Sequence, residues 1–305
     1  MEPKFYMMIG LPGSGKSYVA ENLAKKENAT IISSDSIRKE LFGDENIQGD
    51  PSKVFNIVKS RVIRRLSLGQ NCILDATNIS YKRRMGFLNS LKKIECKKKC
   101  VLVWAPYEVC LQRNGARERK VPEYVIKRMY KNFDVPYYYE GWDTINVIYN
   151  CDSDGSFYSK FFKPVIDFNQ DNTHHTLSLD EHLYKASQYE KIRLNFLLKT
   201  TAFIHDCGKI FTKTYERPGK EPDGQAHYYG HQNVGAYDAL YLNINNSNLL
   251  LDSEDVLYIA ILIRWHMEPY FYENNFCLKD KRKALWGEKL FNDIELLHEA
   301  DVVAH

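Results

Sequence analysis

Apolar residues follow two different rhythms along this chain. Up to about residue 150, short apolar runs alternate with amphipathic stretches. Lys4–Ile9, Ala29–Ile32, Asn71–Asp75, Cys100–Trp104 and Thr144–Tyr149 read as strands. Between them, Tyr18–Ala24, a segment opening at Ser33, Pro51–Leu68 and one starting at Val109 have helical spacing. Strands alternating with helices predict a parallel sheet covered on both faces, with any site at the carboxyl ends of the strands. From His174 onward the strand rhythm stops. Helices are predicted over 179–189, 191–205, 233–242, 253–266 and 289 to the end. The expected organisation is an α/β domain over 1–151, a linker over 152–172 and an all-α domain over 173–305.

Charge and histidine divide the chain at nearly the same place. Residues 1–163 carry 28 Lys and Arg against 18 Asp and Glu, and the remainder carries 14 against 21. All nine histidines lie at or after His174. A basic half is therefore joined to an acidic, histidine-bearing half. The clusters Lys82-Arg83-Arg84, Lys92-Lys93 and Lys97-Lys98-Lys99 read either as a solvated face or as a footprint for a polyanion. No apolar run approaches the roughly 18 residues of a membrane span, so no membrane association is expected. The first strand starts at residue 4, which leaves no room for a signal peptide. Seven scattered cysteines without a C-x-x-C pair point to a reduced, cytoplasmic protein.

Gly10-Leu11-Pro12-Gly13-Ser14-Gly15-Lys16-Ser17 fits the phosphate-binding loop G-x-x-x-x-G-K-S, with a strand before it and a helix after it. Gly10, Gly13, Ser14 and Gly15 would wrap backbone N–H groups around phosphates, Lys16 would meet the β- and γ-phosphates, and the Ser17 hydroxyl would hold Mg²⁺. ATP or another nucleoside triphosphate is the expected cofactor. Asp35 and Arg38 share a face at a helix start. Asp35 is either an N-cap or a base for an attacking hydroxyl, and Arg38 can hold an anionic group of the acceptor. Asp75, at a strand end, is either a metal-side acid or a partner for Arg38. Arg113, Arg117 and Arg119 crowd seven residues before Val121-Pro122, as a solvated helix face or as an arginine-bearing lid over the transferring phosphoryl group.

This set resembles the polynucleotide 5′-kinases, phage and bacterial, over residues 1 to about 150. The resemblance rests on the phosphate-binding loop, Ser34-Asp35-Ser36-Ile37-Arg38, Asp75-Ala76-Thr77-Asn78, Arg113-Asn114 with Arg117, Val121-Pro122 and Met129-Tyr130-Lys131. It implies that Lys16 and Ser17 bind ATP and Mg²⁺, and that Asp35 is the general base on a 5′-hydroxyl. It further implies that Arg38 contacts the phosphate next to the acceptor nucleoside, and that Arg117, with Arg113 nearby, meets the donor phosphates.

In the second half, His205-Asp206-Cys207-Gly208-Lys209 places adjacent His and Asp at a helix end, with Lys209 one turn on to meet a phosphate. His182 precedes it, and His231, His266 and Asp301 follow. His227 rivals His231, and His266 could equally be a satisfied core histidine. His174 and His175 are expected near the site or on the surface. Nitrogen and oxygen donors of this kind suit Mn, Fe, Co, Ni or Zn. The order resembles the HD-domain phosphohydrolases, which implies His182, His205, Asp206 and Asp301 as a core metal site. His231 and His266 would add a second ion. The fold class expected is an α/β P-loop NTPase domain followed by an all-α HD domain.

Together the halves resemble the bifunctional end-healing enzymes of RNA repair, with the kinase placed first where that family places it second. The resemblance implies phosphorylation of 5′-hydroxyl ends and removal of 2′,3′-cyclic, 2′- or 3′-phosphates. RNA or DNA ends are then the expected substrates, and a nucleic-acid ligase is the expected downstream partner. A small-molecule kinase fused to a nucleotide phosphohydrolase is the alternative. An ATP-binding regulator whose second half only senses a nucleotide is another.

Overall fold

The computed structural model describes residues 2–47, 49–151, 158–173, 176–243 and 251–305. The chain divides into two compact units. Unit 1 holds Met1–Ile126 and Pro136–Cys151, and unit 2 holds Lys127–Val135 and Asp152–His305.

Unit 1 is built on β1 (Lys4–Ile9), β2 (Thr30–Ser33), β3 (Cys72–Asp75), β4 (Lys97–Trp104) and β5 (Thr144–Tyr149). They form one parallel sheet in the order β2-β3-β1-β4-β5. β1 is buried along almost its whole length, as a central strand covered on both faces should be. Its helices are α1 (Lys16–Glu27), α2 (Ser34–Phe42), α3 (Pro51–Ser67), α4 (Tyr81–Ser90), α5 (Tyr107–Gly115) and α6 (Glu123–Lys131), the last passing into unit 2. Tyr6, Met8, Ile73, Val101 and Val103 pack with Ala20 of α1 on one face. α3 buries Val54, Val58, Val62 and Leu66, a stripe repeating every fourth residue. It starts where Asp50 accepts the Ser52 N–H at 2.8 Å and Pro51 takes the first helical position. β4 begins three residues earlier than the apolar run suggests. Lys97, Lys98 and Lys99 pair with Lys4, Phe5 and Tyr6, and the Lys99 ammonium lies 5.8 Å from the Tyr6 ring. The lysine run is thus the start of an interior strand of the sheet, with Lys97 exposed and Lys98 and Lys99 half-buried.

Unit 2 is helical among its described residues: α7 (Leu179–Ser187), α8 (Phe196–Ile204), α9 (Lys209–Thr212), α10 (His231–Ala239), α11 (Ser253–Trp265), α12 (Glu268–Tyr272), α13 (Phe276–Trp286) and α14 (Glu288–Val303). α11 is buried continuously from Val256 to Ile263, so it is the central helix. The helix expected over 191–205 starts later, because the Asn195 side chain accepts the Leu198 N–H at 3.1 Å and caps α8. That expected over 233–242 starts at His231 and ends in a 3₁₀ turn, Leu240–Asn243.

Two further departures concern the domain boundaries. The segment read as a linker, 152–172, falls in unit 2. Where described, it is packed: Phe162 stacks on Phe203, Val165 is fully buried, and Gln170 accepts a hydrogen bond from Lys209 at 2.8 Å. Residues 127–135 also belong to unit 2. Tyr130 donates to Asp238 and meets Phe211 and Tyr237 edge-on, Phe133 lies against Tyr237, and Asp134 pairs with Arg264 at 2.7 Å.

Candidate functional site

The chain leaves β1 through a turn in which Gly10, Gly13 and Gly15 have φ of 155°, 86° and 93°, values glycine adopts without a Cβ clash. A Cβ on Gly13 would also lie 2.2 Å from the Cys110 carbonyl oxygen of α5. The loop therefore turns its N–H groups inward and ends at the N-terminus of α1, where anions are favoured. Ser14 Oγ is buried with no hydrogen-bond partner among the described residues, as suits a loop that receives phosphate. Lys16 Nζ donates to the Leu11 carbonyl at 2.7 Å, and Ser17 Oγ donates to Asp75 Oδ2 at 2.8 Å. Ser17 and Asp75 thus stand where a Mg²⁺ ion would be held directly or through water, which favours the metal-side reading of Asp75 over the Arg38-partner reading.

Burial pushes the Lys16 ammonium down to about 8, against the pull of Asp75, with Arg117 adding to the lowering. Lys16 loses charge as pH rises through that value, so ATP affinity should fall by up to about tenfold per pH unit above it. Titrations with a fluorescent ATP analogue at pH 7 and pH 9.5 would show this. Lys16→Arg, always charged, should flatten the slope. A wild-type affinity constant over this range would remove Lys16 from the phosphate site.

Asp35 sits in the first turn of α2, where the Ser33 side chain, not Asp35, caps the helix. The Asp35 carboxylate is therefore not used in the cap. Arg38 Nη1 donates to Oδ1 at 2.6 Å, and Arg119 Nη1 donates to Oδ2 at 2.7 Å. Arg119 also donates to Asn46 Oδ1 at 3.0 Å and to the Glu45 carbonyl at 3.3 Å. Of the three arginines crowded before Val121-Pro122, the one that reaches Asp35 is therefore Arg119, where the family resemblance pointed to Arg117. Arg117 is exposed, with its charge felt at Lys16. Arg113 lies in α5 and donates to the Asn150 carbonyl at 2.7 Å, while Asn150 Nδ2 donates to the Ser14 carbonyl at 2.8 Å. Arg113 thus supports the phosphate loop from behind. Asn114, buried, exchanges hydrogen bonds of 2.8 and 3.0 Å with the Val121 backbone and closes the base of the arginine loop. A cavity of about 430 Å³ opens beside the Thr77–Ser80 loop, floored by Met7, Phe55 and Phe87 and rimmed by Asn56, Lys59 and Arg83.

In unit 2, His182 of α7, His205 and Asp206 after α8, and Asp301 of α14 meet, all buried, with one ligand atom from each within 4.8 Å of the others. Asp206, His231 and His266 form a second such group. Gly208 makes this convergence possible: a Cβ there would lie 2.1 Å from the His231 carbonyl oxygen and 2.7 Å from the Gly235 nitrogen. The His205-Asp206 turn and α10 therefore pack backbone to backbone.

The two Asp206 oxygens face different partners. Oδ1 is 3.1 Å from His231 Nε2 and 3.5 Å from His266 Nε2. Oδ2 is 2.6 Å from Lys209 Nζ, 3.5 Å from His205 Nε2 and 3.7 Å from His182 Nε2. Asp301 Oδ1 lies 3.1 and 3.3 Å from the Nε2 atoms of His182 and His205, and Tyr270 donates to Oδ2 at 2.9 Å. His205, His231 and His266 each turn Nδ1 onto a backbone carbonyl three residues back, at 2.8, 2.8 and 2.7 Å. A carbonyl only accepts, so the proton is on Nδ1 and the lone pair on Nε2 points at the carboxylates. The Nε2 atoms of His231 and His266 are 3.2 Å apart, an arrangement that a cation relieves. Burial pushes His266 down to about 4, which keeps the neutral, metal-binding form. Against the cost of burial, Lys209 holds Asp206 well below the ordinary carboxylate range, and His182 does the same for Asp301. The donor set would suit one or two divalent transition ions, and Asp206 is the residue the two groups share.

Lys209, expected to meet a phosphate, is 4% exposed, with its ammonium 2.6 Å from Asp206 Oδ2 and 2.8 Å from Gln170 Oε1. His227 lies outside both groups, on Asp223 at 3.1 Å, which leaves His231 as the histidine in the cluster. His174 and His175 lie outside the described residues.

Residues 5–136 match the family model of an AAA domain. The chain is 26% identical over 238 residues to the L-seryl-tRNA(Sec) kinase of Methanococcus maripaludis, a match covering 67% of this chain and 90% of that protein. Among solved structures it is similar to a chain of the Pnkp1/Rnl/Hen1 RNA repair complex, at 23% identity, 42% of each chain and a TM-score of 0.39. A gluconokinase from Sinorhizobium meliloti 1021 aligns at 16% identity over 50% of this chain and 85% of that one, with a TM-score of 0.37. Unit 1 has the parallel-sheet α/β fold of a P-loop kinase. No described helix is long and apolar enough to cross a membrane.

Proposed function

We propose that the protein heals nucleic-acid ends, with an ATP-dependent 5′-hydroxyl kinase in unit 1 and an HD-type, metal-dependent phosphohydrolase in unit 2. The observation that carries the second activity is Asp206, whose two oxygens face separate sets of histidines. A kinase alone has no use for that arrangement.

In unit 1 the acceptor hydroxyl gives its proton to Asp35 as its oxygen bonds the γ-phosphorus, and the β,γ-bridging oxygen leaves with ADP. Lys16 and Arg117 offset the charge on the transferring group, and Arg38 holds the acceptor phosphate. Both Asp35 oxygens already accept from guanidinium groups. Arg38 is the more enclosed of the two, at 14% side-chain exposure against 29% for Arg119, so Arg119 is the group the incoming hydroxyl displaces. The cavity beside Phe55 and Phe87 suits an acceptor nucleoside, with Lys59 and Arg83 for its phosphates. In unit 2 a bound ion pair would supply a hydroxide nucleophile at neutral pH. His182, His205 and Asp301 would hold one ion, His231 and His266 the other, and Asp206 both. Lys209 keeps the Asp206 carboxylate turned to serve both, and Tyr270 does the same for Asp301. Donors of this kind leave Mn, Fe, Co, Ni or Zn as the candidates. RNA ends are the favoured substrates, a ligase the downstream partner, and the cytoplasm the place of action.

A second reading comes from the similarity to L-seryl-tRNA(Sec) kinase. The acceptor would then be a hydroxyl carried on a tRNA rather than a strand's 5′ end. Labelled ATP offered with a 5′-hydroxyl oligonucleotide, with seryl-tRNA, or with small polyols separates the readings. An RNA with a 2′,3′-cyclic phosphate, given with Mn²⁺ or Ni²⁺, tests unit 2. Phosphate transfer only to seryl-tRNA or a polyol, with no release from the cyclic end, would sink the end-healing reading.

A further inference from the structure

The cluster of carboxylates and histidines in unit 2 opens into a cavity of about 860 Å³. That is near the upper end of ligand pockets, which run from roughly 300 to 1,000 Å³, and exceeds what a terminal phosphate needs. The excess is furnished. One wall is the hairpin-like loop after α9, pinned where Thr214 and His227 exchange backbone hydrogen bonds of 3.0 and 2.7 Å. On it, the Asp223 carboxylate holds Arg217 at 3.3 Å and His227 Nε2 at 3.1 Å. The His227 ring is stacked on Tyr229, 8° from parallel with centroids 5.5 Å apart, and Tyr229 is 46% exposed. Arg217 Nε is buried and has no hydrogen-bond partner among the described residues, a rare state for a native donor. From α12 the same cavity receives Tyr270 and Phe271, the latter 66% exposed.

A cation fixed by a carboxylate, a spare buried donor and an exposed stacked ring are what a single-stranded nucleic acid uses: charge for its backbone and a flat face for its bases. We propose that Arg217, His227 and Tyr229 form a subsite for the nucleotide preceding the strand's 3′-terminal nucleotide. Arg217 takes the phosphodiester linking the two, and the Tyr229–His227 stack takes the base. Because every base has a π face, the subsite selects strands over free mononucleotides without selecting sequence. Asp223 is a positioning residue that fixes both side chains. The inference rests on the end-healing reading of unit 2.

The test uses the full chain without ATP and two probes: a 5′-phosphorylated RNA trinucleotide ending in a 2′,3′-cyclic phosphate, and the 2′,3′-cyclic mononucleotide. Binding of fluorescein-labelled trinucleotide is read by anisotropy in EDTA, and turnover of both probes is read with Mn²⁺. Arg217→Ala and Tyr229→Ala should each weaken trinucleotide binding by about 5- to 100-fold and change mononucleotide turnover less than twofold. Arg217→Ala should also lower the salt slope of binding by about 1, and Tyr229→Phe or Tyr229→Trp should restore affinity. Equal losses on both probes, or unchanged trinucleotide binding, would overturn the subsite. No turnover of either probe with any divalent ion would overturn the end-healing reading, and the anisotropy arm would still decide the subsite.

Discussion

Asp35→Asn should leave ATP bound and slow phosphoryl transfer by about 10²–10⁴-fold, the usual cost of losing a general base. The substitution keeps the shape of the side chain, and Ser33 keeps its cap on α2, so the helix start does not move. What changes is the charge between Arg38 and Arg119 and the loss of a proton acceptor. Fluorescent-nucleotide binding with steady-state transfer to a 5′-hydroxyl oligonucleotide checks both halves of the expectation. Asp35 has 44% of its side chain exposed, so solvent can reach and replace it if its role is only electrostatic. Transfer at the wild-type rate would therefore assign Asp35 to binding the two arginines and nothing more. Arg119→Ala provides the contrast. It frees one Asp35 oxygen without removing the base, so transfer should survive, and ATP hydrolysis without acceptor should rise a few-fold because that oxygen, no longer paired with a guanidinium, can accept a proton from water.

Asp206→Ala should remove metal from unit 2 and lower phosphate release from a 2′,3′-cyclic end by well over the roughly 100-fold typical of losing a supporting contact. Asp206 is the one residue common to both ligand groups, so its loss exceeds that of His231→Ala or His266→Ala. The substitution also takes the carboxylate 2.6 Å away from Lys209, a cation with 5% of its side chain exposed that keeps its hydrogen bond to Gln170. Removing one partner of a buried pair costs about 3–5 kcal/mol. For that reason Asp206→Asn, which keeps an acceptor for Lys209, is the companion variant. Metal content of protein purified without chelator, thermal denaturation and kinase activity should be measured together. Lost metal and lost hydrolysis with the kinase intact is the expected pattern. Full metal content in both variants would remove Asp206 from the ligands.

The strands and the phosphate loop were legible because a buried parallel strand must be an unbroken apolar run and the loop needs glycine at fixed places. The convergence of His182, His205, Asp206 and Asp301 could be read only through family resemblance, since nothing local says that α7 and α14 meet at the His205 turn. The roles of Arg119 and Lys209 were not legible. Arg119 reaches Asp35 across 84 positions, which no short motif spans, while Lys209 lies one turn from Asp206 within the motif, but the burial that turns it onto that carboxylate and onto Gln170, 39 positions away, does not show there. Asn150 escaped notice for a related reason: an amide side chain that holds a loop closed carries no charge pattern. The late start of α8 did have a signal, Asn195 three residues before Leu198, which apolar periodicity alone outweighed.

The nine residues 127–135 decide how this protein can be inherited and handled in pieces. The chain passes into unit 2, returns to finish the sheet with β5, and passes over again, making three crossings instead of one. A fragment ending at Cys151 would carry Tyr130 and Phe133 away from Tyr237 and leave their rings in water. A fragment beginning at Asp152 would lose the tyrosine hydroxyl on buried Asp238, the partner of Arg264, and the Phe133 carbonyl that accepts from Asn233 at 2.9 Å. Neither half is a cassette that one recombination event could lift out whole. Point changes can address the residues of each unit separately, yet the gene can trade the two units only as a single block.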